Sequence, residues 1–175
     1  TWMTPKDDGD LSEYSEALQA FAKENIHGRL LRLLGAESLY TETLLALLSH
    51  VRAGFSCAGK TLLTGSSAGG YGAWRLLNAA PDRFDAALLM APAHLPSEAL
   101  LDRLAASGMP VLLCHGQQDE LVPFSLTVEP HLPRYQAMPS VTLYLPQLVY
   151  NRDGSVASNI SGIQMGQHCI NNAVQ

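Results

Sequence analysis

A stretch of five small residues, Gly-Ser-Ser-Ala-Gly at positions 65–69, constrains the fold of this chain most. An apolar run precedes it, and a helically spaced pattern that ends at Pro81 follows it. In a G-x-S-x-G turn the serine lies in a strained corner between a strand and a helix, and the outer glycines allow close backbone contacts. Only one register fits, because a pattern centred on the preceding serine would lack both glycines. Ser67 is therefore the candidate nucleophile, with Gly65 and Gly69 as the outer glycines.

The composition is typical of one folded domain. The chain has 175 residues, of which 47% are hydrophobic and only 15% charged, and this balance excludes a disordered chain. The net charge of −5, without any cluster of lysine and arginine, argues against nucleic acid as a partner. We expect a single domain over residues 1–175, in which residues 1–59 form a helical lead-in and residues 60–175 the candidate catalytic half.

Cysteine spacing and hydropathy restrict the chemistry further. Cys57, Cys114 and Cys169 are odd in number and include no C-x-x-C pair, so neither a disulfide framework nor a zinc site is indicated. No run is long enough to span a bilayer, and no charged-then-apolar leader stands at the amino end. We therefore expect no bound metal, no membrane span and a cytoplasmic location.

Apolar runs and helical patterns alternate along the chain. A capping box at Asp10 predicts a first helix that fades towards His27, and the leucine-rich stretch 37–53 predicts a second, well-buried helix. A helix after the serine turn and another capped by Ser97 follow. Strands are predicted at residues 60–64, 84–90, 109–114 and 141–145. Such alternation predicts an α/β fold, in which a parallel sheet is flanked by helices.

Two further residues are candidates for activating the serine. A serine hydroxyl is a weak nucleophile unless an imidazole takes its proton and a carboxylate orients that imidazole. Asp119 lies in a loop just after the third predicted strand, where open α/β sheets collect active-site groups. His168 follows the last predicted strand and the long polar loop 146–166. The chain order Ser67, Asp119, His168 is the order of hydrolases with a serine elbow.

Each of these residues also has a structural interpretation. Asp119 fits an ordinary loop carboxylate that caps the turn before Pro123, with Asp153 as the alternative acid. His168 fits a surface histidine in the carboxyl-terminal tail. Cys169, next to His168, is interpreted as a bystander, because nothing in the sequence indicates a lowered thiol pKa.

The remaining histidines and aromatic residues are expected to have structural roles. His115 belongs to the turn after its strand, and His50 is interpreted as a satisfied or boundary histidine on a buried helix. His94 and His131 lie in proline-bearing loops, where they could line an access path. Packing in the helix after the serine turn is expected of Tyr71 and Trp74.

Three segments together carry a resemblance to a known superfamily. They are Gly-Ser-Ser-Ala-Gly-Gly-Tyr-Gly-Ala-Trp at 65–74, Pro-Asp-Arg-Phe at 81–84 and His-Gly-Gln-Gln-Asp-Glu-Leu-Val-Pro at 115–123. The stretch from residue 60 to residue 168 resembles the α/β-hydrolase superfamily, in particular its carboxylesterase, acylesterase and prolyl-oligopeptidase-like branch. The resemblance implies the following site residues: Ser67 as nucleophile, Asp119 as triad acid, His168 as base and the Ala68 N–H as one oxyanion donor.

Before residue 60 the resemblance is incomplete. Members of the superfamily usually begin with several strands and an oxyanion loop of His-Gly type, and no upstream stretch predicts such strands. His27-Gly28 follows a helical pattern and is a weak candidate for that loop. We interpret the chain as an α/β-hydrolase-type sheet that is incomplete at its amino end or is a natural short form, and that lacks a second oxyanion donor. A half-sheet also exposes a strand edge, so if the short form is natural, a homodimer or a partner that covers this edge is expected.

The resemblance and the three candidate residues predict a serine hydrolase. It would cleave a carboxylic ester, or else a thioester or amide, through an acyl-serine intermediate. A small-molecule ester is the expected substrate, loop 146–166 is expected to contribute to its pocket, and no cofactor is required. The alternative is a non-catalytic hydrolase-like protein that keeps the serine turn as architecture and binds a partner.

Overall fold

The apolar runs pair into a parallel sheet in a computed structural model that describes residues 38–57, 59–119 and 122–147, together with Ala20. Four strands belong to this described part, and they lie side by side in chain order: β1 (Leu62–Ser66), β2 (Ala86–Met90), β3 (Val111–Cys114) and β4 (Val141–Tyr144). All three pairings are parallel. The α/β fold predicted from the alternation of runs is therefore confirmed.

A helix precedes the first strand, and helices occupy each connection between neighbouring strands. They are α1 (Ser38–Gly54) before β1, α2 (Ala68–Ala79) between β1 and β2, and α3 (Glu98–Ser107) between β2 and β3. The connection from β3 to β4 contains the short helices α4 (Phe124–Thr127) and α5 (Leu132–Ala137). The described residues also form two 3₁₀ turns, Pro81–Arg83 and Glu129–His131.

Local chemistry fixes both ends of α3. The Ser97 side chain accepts a hydrogen bond at 3.2 Å from the Leu100 N–H in the first helical turn, and the same N–H also donates to the Ser97 carbonyl at 3.0 Å. At the other end, Gly108 has a left-handed φ of 63°, and its N–H donates to the Leu104 carbonyl at 3.1 Å. The helix therefore begins directly after the cap that the sequence predicts.

One face of the sheet is closed by the connecting helices. Because the strands follow one another in order and parallel crossovers are right-handed, these helices lie on the same side of the sheet. Buried strand and helix residues pack together there: Ala87, Leu89, Val111, Leu113, Trp74, Leu77, Leu100, Leu101, Leu104 and Tyr135. This core holds the strands in register and so positions the loops at their carboxyl ends.

The opposite face is also apolar but less covered. Ala86, Leu88 and Met90 alternate with the buried residues of β2 and are only half-buried, and Leu62 at the start of β1 is 70% exposed. Strands that are apolar on both faces are typical of parallel sheets covered on two sides. Within the described ranges, the connecting helices cover one of the two faces of the sheet.

The observed strand boundaries differ slightly from the predicted ones. β1 begins at Leu62 because its pairing with β2 begins there, opposite Ala86. Just before Leu62, the chain is joined to the residue before β2 through a side chain: the Thr61 N–H donates to the Asp85 carboxylate at 2.6 Å. β2 and β3 also begin later than predicted, and β4 ends one residue earlier.

The second predicted helix is present as α1, but its predicted burial is wrong. Leu44 and Leu47 are 44% and 53% exposed, and His50 is exposed as well. The helix precedes β1 at the edge of the described sheet and packs on α2, so only part of its apolar stripe is covered. Of the helix predicted between Asp10 and His27, the structure describes Ala20 alone, and this residue is helical.

Candidate active site

Ser67 lies in a strained backbone conformation between β1 and α2. Its φ of 54° and ψ of −116° fall outside the regions that L-residues commonly adopt. Such strain is expected of a nucleophile elbow, in which a sharp turn exposes the serine hydroxyl at the end of the strand. The residue is only half-buried, so a substrate can reach it.

Two glycines make this turn sterically feasible. A Cβ added to Gly65 would collide with the Gly69 carbonyl oxygen, and a Cβ added to Gly70 would lie 2.6 Å from the Pro92 Cα. Both collisions are with backbone, which cannot move aside without breaking the turn. At Gly69 an added Cβ would meet nothing within 4 Å. From the sequence, the close approaches are expected at Gly65 and Gly69; the structure places the second one residue later, at Gly70.

Backbone hydrogen bonds tie the serine turn to the end of β2. The Ser67 N–H donates to the Met90 carbonyl at 2.9 Å, and the Ser67 carbonyl accepts from the N–H groups of Tyr71 and Ala93, both at 3.1 Å. Ala91, which is fully buried, has a left-handed φ of 42°. The loop after β2 therefore follows a strained path that brings the Ala93 N–H against Ser67.

Ala68, the expected oxyanion donor, is the first residue of α2. The N–H groups in the first turn of a helix have no carbonyl partner within the helix, and they lie at the positive end of its dipole. This position suits the Ala68 N–H to binding an oxygen that becomes negatively charged next to Ser67.

Asp119 lies in a buried loop that follows β3. It is 4% exposed, its N–H donates to the Gly116 carbonyl at 3.1 Å, and its Oδ1 accepts the Val122 N–H at 2.9 Å. The carboxylate therefore caps a turn, as its structural interpretation expects. Capping a turn does not, however, require that the carboxylate be buried. The carboxylate also has a second neighbour, because the His115 Nε2 lies 3.8 Å from its other oxygen.

The register of the sheet relates the serine turn to the acid loop. Ser66, Met90 and Cys114 are paired across β1, β2 and β3, so these strands end at the same level. β1 and β3 are two strand spacings apart, which is about 10 Å. Ser67 and the Asp119 loop therefore follow strands that end at one edge of the sheet.

The predicted base, His168, lies outside the described residues. The same holds for Cys169, for the alternative acid Asp153 and for His27-Gly28. Of the polar loop 146–166, the structure describes residues 146 and 147. The assignment of the base therefore stays a prediction.

A partly buried cluster of Tyr71, Arg75 and His94 beside the serine turn is not predicted from the sequence. The Arg75 Nη1 donates to the Tyr71 hydroxyl at 2.8 Å, and His94 meets the Tyr71 ring edge-on, with 5.1 Å between the ring centroids. Burial, with a smaller contribution from the Arg75 charge, lowers the pKa of His94 to about 4. His94 is therefore neutral near pH 7. The i, i+4 spacing of Tyr71 and Arg75 is the sequence signal that points to part of this cluster.

His131 differs from its predicted setting, whereas His94 does lie in the loop after β2. His131 belongs to the 3₁₀ turn Glu129–His131 and is buried. Its Nε2 lies 2.9 Å from the Pro96 carbonyl oxygen, and its Nδ1 lies 3.2 Å from a Glu98 carboxylate oxygen. These contacts join the last connection of the sheet to the start of α3.

Other chemistry in the described ranges is limited. No three His, Cys, Asp or Glu side chains there are grouped so as to hold a metal ion. Burial raises the pKa of the Cys114 thiol, and Cys57 is exposed. Among the helices of the described part, none has both the length and the apolar character that crossing a membrane requires.

A parallel sheet with a serine elbow after one strand and a buried acid loop two strands away defines an α/β-hydrolase-type fold. The model of a family described as "Putative esterase" matches residues 36–148. This match covers well over half of the chain, and the chain therefore belongs to this esterase family. No curated protein was found to match the chain.

Several solved structures are similar to this chain. A thermostable esterase matches at 19% identity with a TM-score of 0.50, over 60% of this chain and 28% of its own. An alpha-beta serine hydrolase homologue from Coxiella burnetii matches at 25% identity with a TM-score of 0.44, over 60% and 47%. Est1E from Butyrivibrio proteoclasticus matches at 16% identity with a TM-score of 0.45, over 67% and 60%. The likeness to the thermostable esterase shows the fold alone, and the chain spans 28% to 60% of the length of these three structures.

Proposed function

We propose that the protein is a serine hydrolase that cleaves a carboxylic ester of a small molecule through an acyl-Ser67 intermediate. The strained Ser67 turn, which joins a parallel strand directly to the first N–H groups of α2, is the observation that carries this proposal. The buried Asp119 loop follows a strand that ends at the same edge of the sheet. Membership of an esterase family agrees with this reaction.

In the proposed reaction, His168 takes the proton of the Ser67 hydroxyl while the serine oxygen attacks the ester carbonyl. The Ala68 N–H donates a hydrogen bond to the oxyanion of the tetrahedral intermediate. His168 then gives the proton to the departing alcohol, and the acyl group stays on Ser67. A water molecule, deprotonated by His168, attacks the acyl carbonyl; the bond to the Ser67 Oγ breaks, His168 returns the proton to Ser67, and the carboxylic acid leaves. Asp119 orients the imidazole throughout.

A fluorophosphonate probe, which reacts with activated serines, tests this proposal on the full-length protein. We expect the probe to label Ser67 and to leave the Ser67→Ala variant unlabelled. Ser66→Ala is the matched control, because it changes the neighbouring serine of the same turn and should be labelled like the wild type.

Hydrolysis of p-nitrophenyl acetate gives the second measurement. Ser67→Ala should lower kcat by about a thousandfold or more, since the covalent step is lost. Equal rates for the wild type and Ser67→Ala would exclude the hydrolase and favour the alternative, a hydrolase-like protein that binds a partner without catalysis.

A further inference from the structure

His115, the residue directly after β3, has a buried side chain with no role in the reaction proposed above. It is 0% exposed, and its N–H donates to the Tyr144 carbonyl at 3.0 Å, which extends the pairing of β3 with β4 by one residue. Its ring packs edge-on against Phe124, with 5.9 Å between the ring centroids. The backbone of His115 is thus fixed by the sheet and its ring by the core.

The imidazole of His115 is joined to the acid loop. Its Nε2 lies 2.8 Å from the Val122 carbonyl oxygen. A carbonyl oxygen only accepts hydrogen bonds, so Nε2 carries the proton and donates it. The same Nε2 lies 3.8 Å from the Asp119 Oδ2, while the Val122 N–H donates to the Asp119 Oδ1 at 2.9 Å. His115, Asp119 and Val122 therefore form one connected unit: the His115 imidazole donates to the Val122 carbonyl at one end of the turn and lies beside the Asp119 carboxylate at the other.

This unit leaves the Asp119 carboxylate little freedom to rotate. Val122 is 3% exposed, so water cannot readily replace His115 as the hydrogen-bond donor to the Val122 carbonyl. If that bond were lost, the turn would shift, and the Val122 N–H that fixes Oδ1 would shift with it. The direction of the Asp119 carboxylate thus depends on a side chain anchored in the sheet.

We propose that His115 is a positioning residue for the triad acid: it holds Asp119 through Val122 in the orientation that the imidazole of His168 requires. This inference rests on the proposed hydrolase function. The orientation of a triad carboxylate matters because a displacement of about 1 Å can lower the rate of an enzyme about a hundredfold.

Two polar substitutions of similar size test this role. In His115→Gln the side-chain amide reaches as far as Nε2 and can still donate to Val122, whereas in His115→Asn the amide ends short of that position. We expect His115→Asn to lower kcat for p-nitrophenyl acetate about tenfold or more with little change in KM, and His115→Gln to restore most of the rate. Phe124→Leu, which keeps an apolar side chain against the His115 ring and leaves the bond to Val122 in place, should retain nearly the wild-type rate.

The same substitutions in an Asp119→Asn background separate positioning from general damage. If His115 acts through Asp119, His115→Asn should cause little further loss there. Equal losses in the two backgrounds would overturn the proposal, and so would equal rates for the Gln and Asn variants.

A measurement that does not need activity separates this inference from the proposed function. The ¹³Cγ resonance of Asp119, assigned by its loss in Asp119→Asn, should move in His115→Asn and stay near its wild-type position in His115→Gln. An unchanged resonance in both variants would overturn the positioning role. If instead hydrolysis does not depend on Ser67, the proposed function fails, and the resonance still decides whether His115 orients the carboxylate.

Discussion

At the scale of single residues, the serine turn contains two glycines with different surroundings. A Cβ at position 65 would collide with the Gly69 carbonyl oxygen, whereas a Cβ at position 69 would meet open space. We expect Gly65→Ala to lower the free energy of unfolding by about 2 kcal/mol or more, because a backbone collision cannot relax without breaking the turn. Gly69→Ala, the matched control, should stabilise the protein by about 1 kcal/mol or less, since alanine suits a helix better than glycine. Urea denaturation measures both, and equal effects would contradict this account.

Asp119 combines a structural and a proposed catalytic role, and one substitution separates them. In Asp119→Asn the side-chain oxygen still accepts the Val122 N–H, but the negative charge that would orient the imidazole is lost. We expect kcat for p-nitrophenyl acetate to fall by about a thousandfold or more, with a loss of about 1 kcal/mol or less in the free energy of unfolding. An Asn variant that stays as active as the wild type would leave Asp119 as a turn cap alone.

His94 should make the stability of the fold depend on pH. In the unfolded chain it has the ordinary pKa of 6.5, whereas in the folded protein burial lowers its pKa to about 4. The unfolded state therefore takes up the proton first, and stability is lost as the pH falls from 6.5 towards 4. The difference between the two pKa values corresponds to about 3 kcal/mol.

Replacing the titrating ring tests this effect. Between pH 7 and pH 4.5 the free energy of unfolding should fall in the wild type by about 2 to 3 kcal/mol more than in His94→Phe. Urea denaturation at several pH values gives the two curves. Parallel curves would show that His94 does not titrate as its buried position requires.

At the scale of elements, α3 depends on its amino cap. The Ser97 hydroxyl oxygen accepts a hydrogen bond from the Leu100 N–H, and an alanine side chain has no atom that could accept it. Ser97→Ala should lower the free energy of unfolding by about 1 kcal/mol, whereas Ser56→Ala, in the exposed turn after α1, should change it by less than about 0.5 kcal/mol. Urea denaturation of the two variants makes the comparison, and equal values would show that the Ser97 cap contributes nothing.

The elements that local chemistry determines are the ones that the sequence predicts. The apolar runs of the strands, the Ser97 cap and the serine turn all depend on neighbouring residues. The cap and the turn are found where expected, and the strands begin and end within two residues of their predicted bounds. α4 and α5 are not predicted, because each is short and proline interrupts the segment that contains them. Their packing on the sheet, rather than any helical pattern, holds these short helices in place.

The candidate site likewise has features that depend on neighbouring residues and features that depend on packing. The sequence predicts Ser67 and the Asp119 loop because each follows closely in the chain on the end of a predicted strand. The approach of Gly70 to Pro92 and the contact of Tyr71 with His94 join α2 to the loop after β2, about 20 residues apart in the chain, and such contacts depend on how the two elements pack.

At the scale of the whole molecule, the described part of the sheet has a covered face and an edge strand, β1. Leu113 belongs to the buried core and is 0% exposed, whereas Leu62 in β1 and Phe55 just after α1 are 70% and 67% exposed in the described part of the chain. Apolar side chains at an edge strand favour association with another chain, and this is the physical basis for expecting a homodimer or a partner there. Whether the edge is covered in solution changes what a substitution at Leu62 does.

Leu62→Thr and Leu113→Ala together measure how far the edge is covered. Leu113→Ala should lower the free energy of unfolding by about 3 kcal/mol, because it opens a cavity in the core. If Leu62 faces solvent, as the described residues show it, Leu62→Thr should change the free energy by about 0.5 kcal/mol or less. Urea denaturation of the full-length protein at two protein concentrations tests this. A loss of more than about 1 kcal/mol in the free energy of unfolding of Leu62→Thr would contradict solvent exposure of Leu62. If that loss grew with protein concentration, a second copy of the chain would cover the edge, because association stabilises the folded state by mass action.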